Sequence, residues 1–236
     1  MATFNISFIP FFSGLPEDLL VEISQKSQIA NFVAGNTILS AGKKSAFLMV
    51  VLSGTVLLNE HADDGRVIGV SFAGPNQLLA WLSVIDNKPL SQTIIAASPC
   101  TLMICPVEVI QALLTNNVAF TNRFLMLSAE SIRRLDQARA MLSLPNAFHR
   151  VFVQINSLSA AANSGKTNLP KQKDIANSVN TSRETVSRAL QMLIKSGVLL
   201  KVGHQIVIKQ SEALKKLAID GPEAMPTEPQ SHNSIA

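Results

Sequence analysis

Four residues toward the C-terminal end, Arg183, Glu184, Ser187 and Arg188, have the types and spacing to read the edge of a nucleic-acid base. In a helix, positions i, i+1, i+4 and i+5 cluster on one exposed face. A guanidinium fork matches guanine O6 and N7 in the major groove, a carboxylate accepts from cytosine N4, and a serine hydroxyl suits either kind of edge. The same residues also fit a solvated helix face. Glu184 and Arg188 are spaced as an i, i+4 ion pair, and Thr181-Ser182-Arg183-Glu184 fits a capping box.

The flanking sequence decides between the two. The spacing predicts a first helix over residues 171–179, with Ile175, Ala176 and Val179 on one side. Asn180 follows, one of the few non-glycine residues that accepts the left-handed conformation of a tight turn. A second helix is expected over about residues 182–196, with Val186, Leu190 and Leu193 as its buried stripe and Gly197 ending it. Residues 198–202 and 205–208 then alternate apolar and polar around Gly203-His204, a two-residue hairpin loop. Helix, turn, helix and wing make a DNA-reading module. Lys171, Lys173, Ser182, Lys195 and Lys201 are its candidate phosphate contacts. Charge agrees: residues 145–219 hold eleven Lys/Arg against three Asp/Glu, whereas residues 1–144 hold nine against ten. A basic C-terminal part points to double-stranded DNA as a partner.

Ser182-Arg183-Glu184-Thr185-Val186-Ser187-Arg188 resembles the recognition-helix signature of the CRP/FNR family of bacterial transcription regulators, in the catabolite-activator form that reads TGTGA-like half-sites. The resemblance implies that Arg183 and Arg188 contact guanines and Glu184 a cytosine, with Ser187 at a neighbouring contact. It also implies a homodimer on a palindromic site, with RNA polymerase as a further partner, and it extends over nearly the whole chain.

The implied fold class is α+β: an antiparallel β-roll of the cyclic-nucleotide-binding kind (residues 1–115), a long dimerisation helix (116–144), a winged helix-turn-helix (145–219) and a disordered tail (220–236). The residues support this order. After a short helix ending near Lys26, strands are expected at 32–33, 37–39, 47–52, 55–59, 67–72 and 93–104, separated by turns. Gly35, Gly42, Gly54, Gly65 and Gly74 resemble the family's glycine series. Periodicity then turns helical, broken at Asn116-Asn117. Phe120, Phe124, Leu127, Ser131, Arg134, Ala138 and Met141 recur at spacings of three and four, with Leu135 and Leu142 beside them. This seam suits a two-stranded coiled coil, or one helix lying on the β-roll. Family resemblance favours the dimer. Ser143-Leu144-Pro145-Asn146 is a hinge candidate, since proline disfavours helix in the residue before it. Phe148, Val151, Phe152, Ile155 and Leu158 follow as a buried helix face, and 160–168 reads as a surface loop.

The effector pocket departs from the family. Ala80 or Trp81 stands where a ribose-binding glutamate belongs, and Leu90 where a phosphate-binding arginine belongs, while Ser91 is retained. A buried phosphodiester requires a paired cation, so cyclic AMP binding in the usual manner is not expected. Trp81 hints at an apolar ligand, or at a pocket filled by the protein itself. No cofactor or metal is expected, and the sequence does not identify an effector. Cys100 and Cys105 would point to opposite faces of one strand. With no apolar run of membrane-spanning length and no signal-peptide pattern at the N-terminus, a reduced, cytoplasmic protein is expected. The rival readings are a cyclic-AMP-dependent activator with an unorthodox pocket, and a small-molecule-binding module with non-specific DNA affinity. For an enzyme, no Ser/His/Asp, metal or glycine-rich phosphate constellation is found.

Overall fold

Apolar side chains on both faces of one strand dictate the layering of the N-terminal half. In the computed structural model, which describes residues 5–61, 67–160, 166–202 and 205–225, helix α1 (Glu17–Lys26) precedes eight strands. These are β1 (Gln28–Phe32), β2 (Thr37–Leu39), β3 (Phe47–Ser53), β4 (Val56–His61), β5 (Val67–Ala73), β6 (Leu78–Leu79), β7 (Gln92–Ala96) and β8 (Cys100–Pro106), with the short helix α2 (Trp81–Asp86) between β6 and β7. They form two antiparallel four-stranded sheets, in the orders β1-β8-β3-β6 and β2-β7-β4-β5.

Strand β3 alternates Leu48 and Val50 against Met49 and Val51, all buried. Met49 and Val51 join Val56, Ile94, Ala96 and Leu102 in a core shared by both sheets. Leu48 and Val50 face Ile9, Phe11, Phe12, Ile23, Met103, Ile110, Phe120 and Phe124. Cys100 and Cys105 follow the same rule on β8, one in each cluster, both as free thiols.

The single strand expected over 93–104 is two strands in different sheets. The break falls at Ala97-Ser98-Pro99, where the amides of Ala97 and Ser98 both donate to the Thr55 carbonyl. Gly54 makes the close approach possible: at φ +85°, a Cβ there would lie 2.3 Å from the Pro99 carbonyl oxygen.

Helices α3 (Val107–Asn116) and α4 (Val118–Leu142) follow, broken where the paired asparagines predict, with Asn117 Oδ1 accepting from the Phe120 amide at 2.9 Å. By contact the chain divides into two compact units, Met1–Arg139 and Ala140–Ala236.

In the second unit, α5 (Ala147–Ala160) is capped by Asn146, whose Oδ1 accepts from the Phe148 amide at 2.9 Å. Val151, Phe152 and Ile155 of α5 are buried. Strand β9 (Lys166–Asn168), α6 (Gln172–Ser178), α7 (Arg183–Lys195), β10 (Leu199–Val202), β11 (Gln205–Ile208), α8 (Ser211–Asp220) and a 3-10 turn at Pro222–Ala224 complete it. Two expectations change here. Part of the expected 160–168 loop is β9, which pairs antiparallel with β11 and makes the wing a three-stranded sheet, β10-β11-β9. The tail expected to be disordered from residue 220 forms the 3-10 turn first. The expected turn at Asp63-Asp64-Gly65, the Gly203-His204 loop and the tail from residue 226 lie outside the described residues.

Candidate nucleic-acid interface

The reading helix starts from a turn whose backbone matches its sequence. Asn180 is left-handed, at φ 48°, and the Thr181 amide donates back to the Ala176 carbonyl at 2.9 Å. Ser182 caps α7, its Oγ accepting from the Thr185 amide at 3.1 Å. The cap therefore pairs Ser182 with Thr185, not Thr181 with Glu184 as the sequence suggests. Val186, Ala189, Leu190 and Leu193 anchor the inner face of α7. Gly197, at φ +72°, follows the helix and lets the chain turn into the wing.

That anchoring turns Arg183, Glu184 and Arg188 out to solvent, with Ser187 half-buried beside them. Among the described residues no ion pair joins Glu184 to Arg188. Hydrogen bonds from its own backbone amide and from Ser182, with the charges of Arg183 and Arg188, hold the Glu184 carboxyl below its ordinary range. It is thus an ionised acceptor at neutral pH. The Arg188 guanidinium lies 5.9 Å from the centre of the Phe148 ring, a cation–π contact. Lys171, Lys173, Lys195 and Lys201 are exposed, as phosphate contacts must be, and so is Ser182. Burial raises the Asp174 carboxyl, opposed by Lys171 and Lys173.

The stretch expected to form an effector pocket is organised by apolar packing. Ala80 is buried in the left-handed region, at φ 61°, where it starts α2. Trp81 packs edge-on against Phe124, with ring centroids 6.1 Å apart. Leu90 packs against the cluster between the sheets, and its backbone is fixed by Leu90 N–H to the Lys43 carbonyl at 2.9 Å and Gly42 N–H to the Leu90 carbonyl at 2.8 Å. Ser91 is exposed. The buried hydroxyl of this region is Ser83, which accepts from the Ser45 amide at 3.1 Å and donates to the Lys88 carbonyl at 2.7 Å. Lys88 itself is exposed, 3.8 Å from Asp86. Among the described residues no cluster of His, Cys, Asp or Glu could hold a metal ion, and no helix is long and apolar enough to cross a membrane.

Residues 29–117 match the cyclic nucleotide-binding domain family and residues 138–217 the Crp-like helix-turn-helix domain family. The chain belongs to the CRP/FNR family of transcription regulators. It is 24% identical over 213 residues to the CRP-like cAMP-activated global transcriptional regulator of Mycobacterium tuberculosis, covering 88% of this chain and 95% of that protein. It is 26% identical over 210 residues to the cyclic AMP receptor protein of Thermus thermophilus, covering 89% and 96%. Its fold resembles that of FixK2 from Bradyrhizobium japonicum, with a TM-score of 0.70 at 20% identity, covering 81% of this chain and 96% of that one.

As a CRP/FNR regulator the chain binds DNA through its helix-turn-helix, and α7 brings the four base-reading candidates together. Only the first part of the expected α4 dimer seam changes partner: it packs on the chain's own sheets, the alternative that the spacing leaves open. Phe120 and Phe124 are buried in the unit's own core, tilted and edge-on against Phe11, with Leu127 packed on the same cluster. Farther along the same stripe Ser131 is half-buried and Arg134 and Ala138 are exposed, Arg134 Nη2 donating to Ser131 Oγ at 3.1 Å, and Met141 is again buried. The exposed large apolar residues of α4 are Val118, Leu125, Met126, Ile132, Leu135 and Leu142. Sequence reasoning also missed what two residues of α5 do. Phe148, read only as core, lies under Arg188. Arg150 is the other: it donates to four main-chain carbonyls. A lone arginine on an amphipathic helix carries no signal of that kind.

Proposed function

We propose that the chain acts as a homodimer, reads palindromic TGTGA-like sites, and is not switched by cyclic AMP in the usual manner. The observation that carries the reading is the outward face of α7, where two guanidinium forks and an ionised carboxylate stand on a helix anchored by four buried residues. This set suits two guanines and a cytosine in a major groove.

The dimer rests on the exposed residues of α4. Val118, Leu125 and Ile132 are spaced by seven, and Leu135 and Leu142, also seven apart, take the second position in the last two heptads. A symmetric pair would set two α7 helices about 34–36 Å apart, one DNA turn. Independence from cyclic AMP rests on the pocket: Trp81 is packed on Phe124 where a glutamate would serve ribose, and Leu90 contributes no cation. RNA polymerase as a further partner, and the cytoplasm as the place of action, follow from the same reading.

A second reading, a cyclic-AMP-dependent activator with an unorthodox pocket, is favoured by the similarity to the cAMP-activated regulator of M. tuberculosis and the cyclic AMP receptor protein of T. thermophilus. One titration addresses dimer and palindrome together. The protein should bind a full TGTGA palindrome about tenfold or more tighter than a duplex with one half-site scrambled. Equal affinity for the two duplexes would remove the two-headed reading.

A further inference from the structure

Arg150 projects from the first turns of α5, half-buried, and among the described residues no carboxylate pairs with it. Its donors go to main-chain oxygens of two separate segments. Nη1 donates to the Leu144 carbonyl at 2.6 Å and the Pro145 carbonyl at 3.3 Å. Nε donates to the Val179 carbonyl at 2.8 Å and Nη2 to the Asn180 carbonyl at 2.9 Å. Both segments lie just past a helix C-terminus, after α4 and after α6. There carbonyls lack intrahelical partners and the backbone dipole is negative, so a cation is favoured.

The position of these oxygens gives the contact its meaning. Val179 and Asn180 are the turn of the helix-turn-helix, and Asn180 holds a left-handed conformation that non-glycine residues rarely adopt. The cap Ser182 and the base-facing Arg183 and Glu184 follow within four residues. The direction of that turn sets where α7 begins, and base contacts tolerate little displacement. Leu144 and Pro145, the other two acceptors, belong to the hinge candidate where the chain leaves α4. One planar fork thus ties the start of the reading helix to the chain's exit from the long helix. A lysine, with a single ammonium on a flexible stem, cannot span all four oxygens.

We infer that Arg150 is a positioning residue for base reading, fixing the register of α7 by clamping the Val179-Asn180 turn to the Leu144-Pro145 segment. The inference rests on α7 being a sequence reader. The test uses the full chain and the variants Arg150→Lys and Arg150→Met. Fluorescence anisotropy on a TGTGA palindrome and on a scrambled duplex is measured well below the melting temperature, with circular dichroism to verify the fold. Both variants should keep the wild-type spectrum, lose about tenfold of the cognate-to-scrambled affinity ratio, and stay within about twofold of wild type on scrambled DNA, because the phosphate-facing lysines are untouched. A lowered melting temperature with an unchanged ratio would make Arg150 a merely structural residue and overturn the inference, as would loss of the fold in both variants. Equal loss on both duplexes would make it a phosphate contact and overturn it too. Failure of the underlying reading looks different: the wild type itself would then show no ratio to lose.

Discussion

Arg188 stands between two partners of different kinds, the Phe148 ring beneath it and, in the proposed complex, a guanine edge. Replacing it by alanine should weaken cognate binding by about 1–3 kcal/mol and relax one base position, leaving scrambled DNA nearly unaffected. A base-substitution panel read by anisotropy measures both, and equal losses on every sequence would reassign the residue to the phosphate backbone. Chemistry at Cys105 is of another sort. Burial pushes its thiol up to about 11 from an ordinary 9.0, against the opposing Ser27 hydrogen bond and Lys26 charge. A raised folded value means that the contribution to stability is complete below 9.0 and is lost as pH rises through about 11. Up to about 2–3 kcal/mol should therefore separate the pH dependence of wild type and Cys105→Ala between those values. Urea midpoints taken along the pH series test this; a constant difference between the two proteins would contradict it.

Helix α4 is the element that the amino-acid pattern describes least completely. It carries two apolar seams offset by one residue, which is about 100° around a helix. Phe124, Leu127, Ser131, Arg134, Ala138 and Met141 each have as next neighbour Leu125, Ser128, Ile132, Leu135, Arg139 and Leu142. Both series obey heptad spacing, and periodicity does not say which partner a seam meets. The core decides, because Phe120 and Phe124 pack on Phe11 and Phe124 also meets Trp81. Separate outcomes follow. Ile132→Glu or Leu135→Glu should yield a folded monomer in sedimentation, whereas Phe124→Ala should lower stability by about 3–5 kcal/mol in a denaturant melt. A dimer that survives both glutamates would remove the outer seam from the interface. Other elements were legible because their signals are local: Asn180 and Gly197 mark the turn and the helix end, and Val186, Leu190 and Leu193 mark the inner face of α7. Strand β9 was not, because Lys166-Thr167-Asn168 becomes a strand only through its distant pairing with β11. The packing of Trp81 on Phe124 was not legible either, since it joins residues far apart in the chain.

At the scale of the whole chain, charge and layering divide the work. The near-neutral N-terminal part carries the apolar packing of the two sheets, and the basic segment 145–219, with eleven Lys/Arg against three Asp/Glu, carries the helix-turn-helix. Non-specific affinity should fall steeply with salt as lysines release counterions, while the ratio of cognate to scrambled binding should fall less, since it depends on base edges. The most direct test of the account is anisotropy on a TGTGA palindrome and a scrambled duplex, with and without cyclic AMP, across a salt series. Tight, sequence-selective binding, the same whether or not cyclic AMP is present, is the expected outcome. Selective binding that arises only when cyclic AMP is added would contradict the reading of Ala80, Trp81 and Leu90, and equal affinity for both duplexes would contradict the reading of α7.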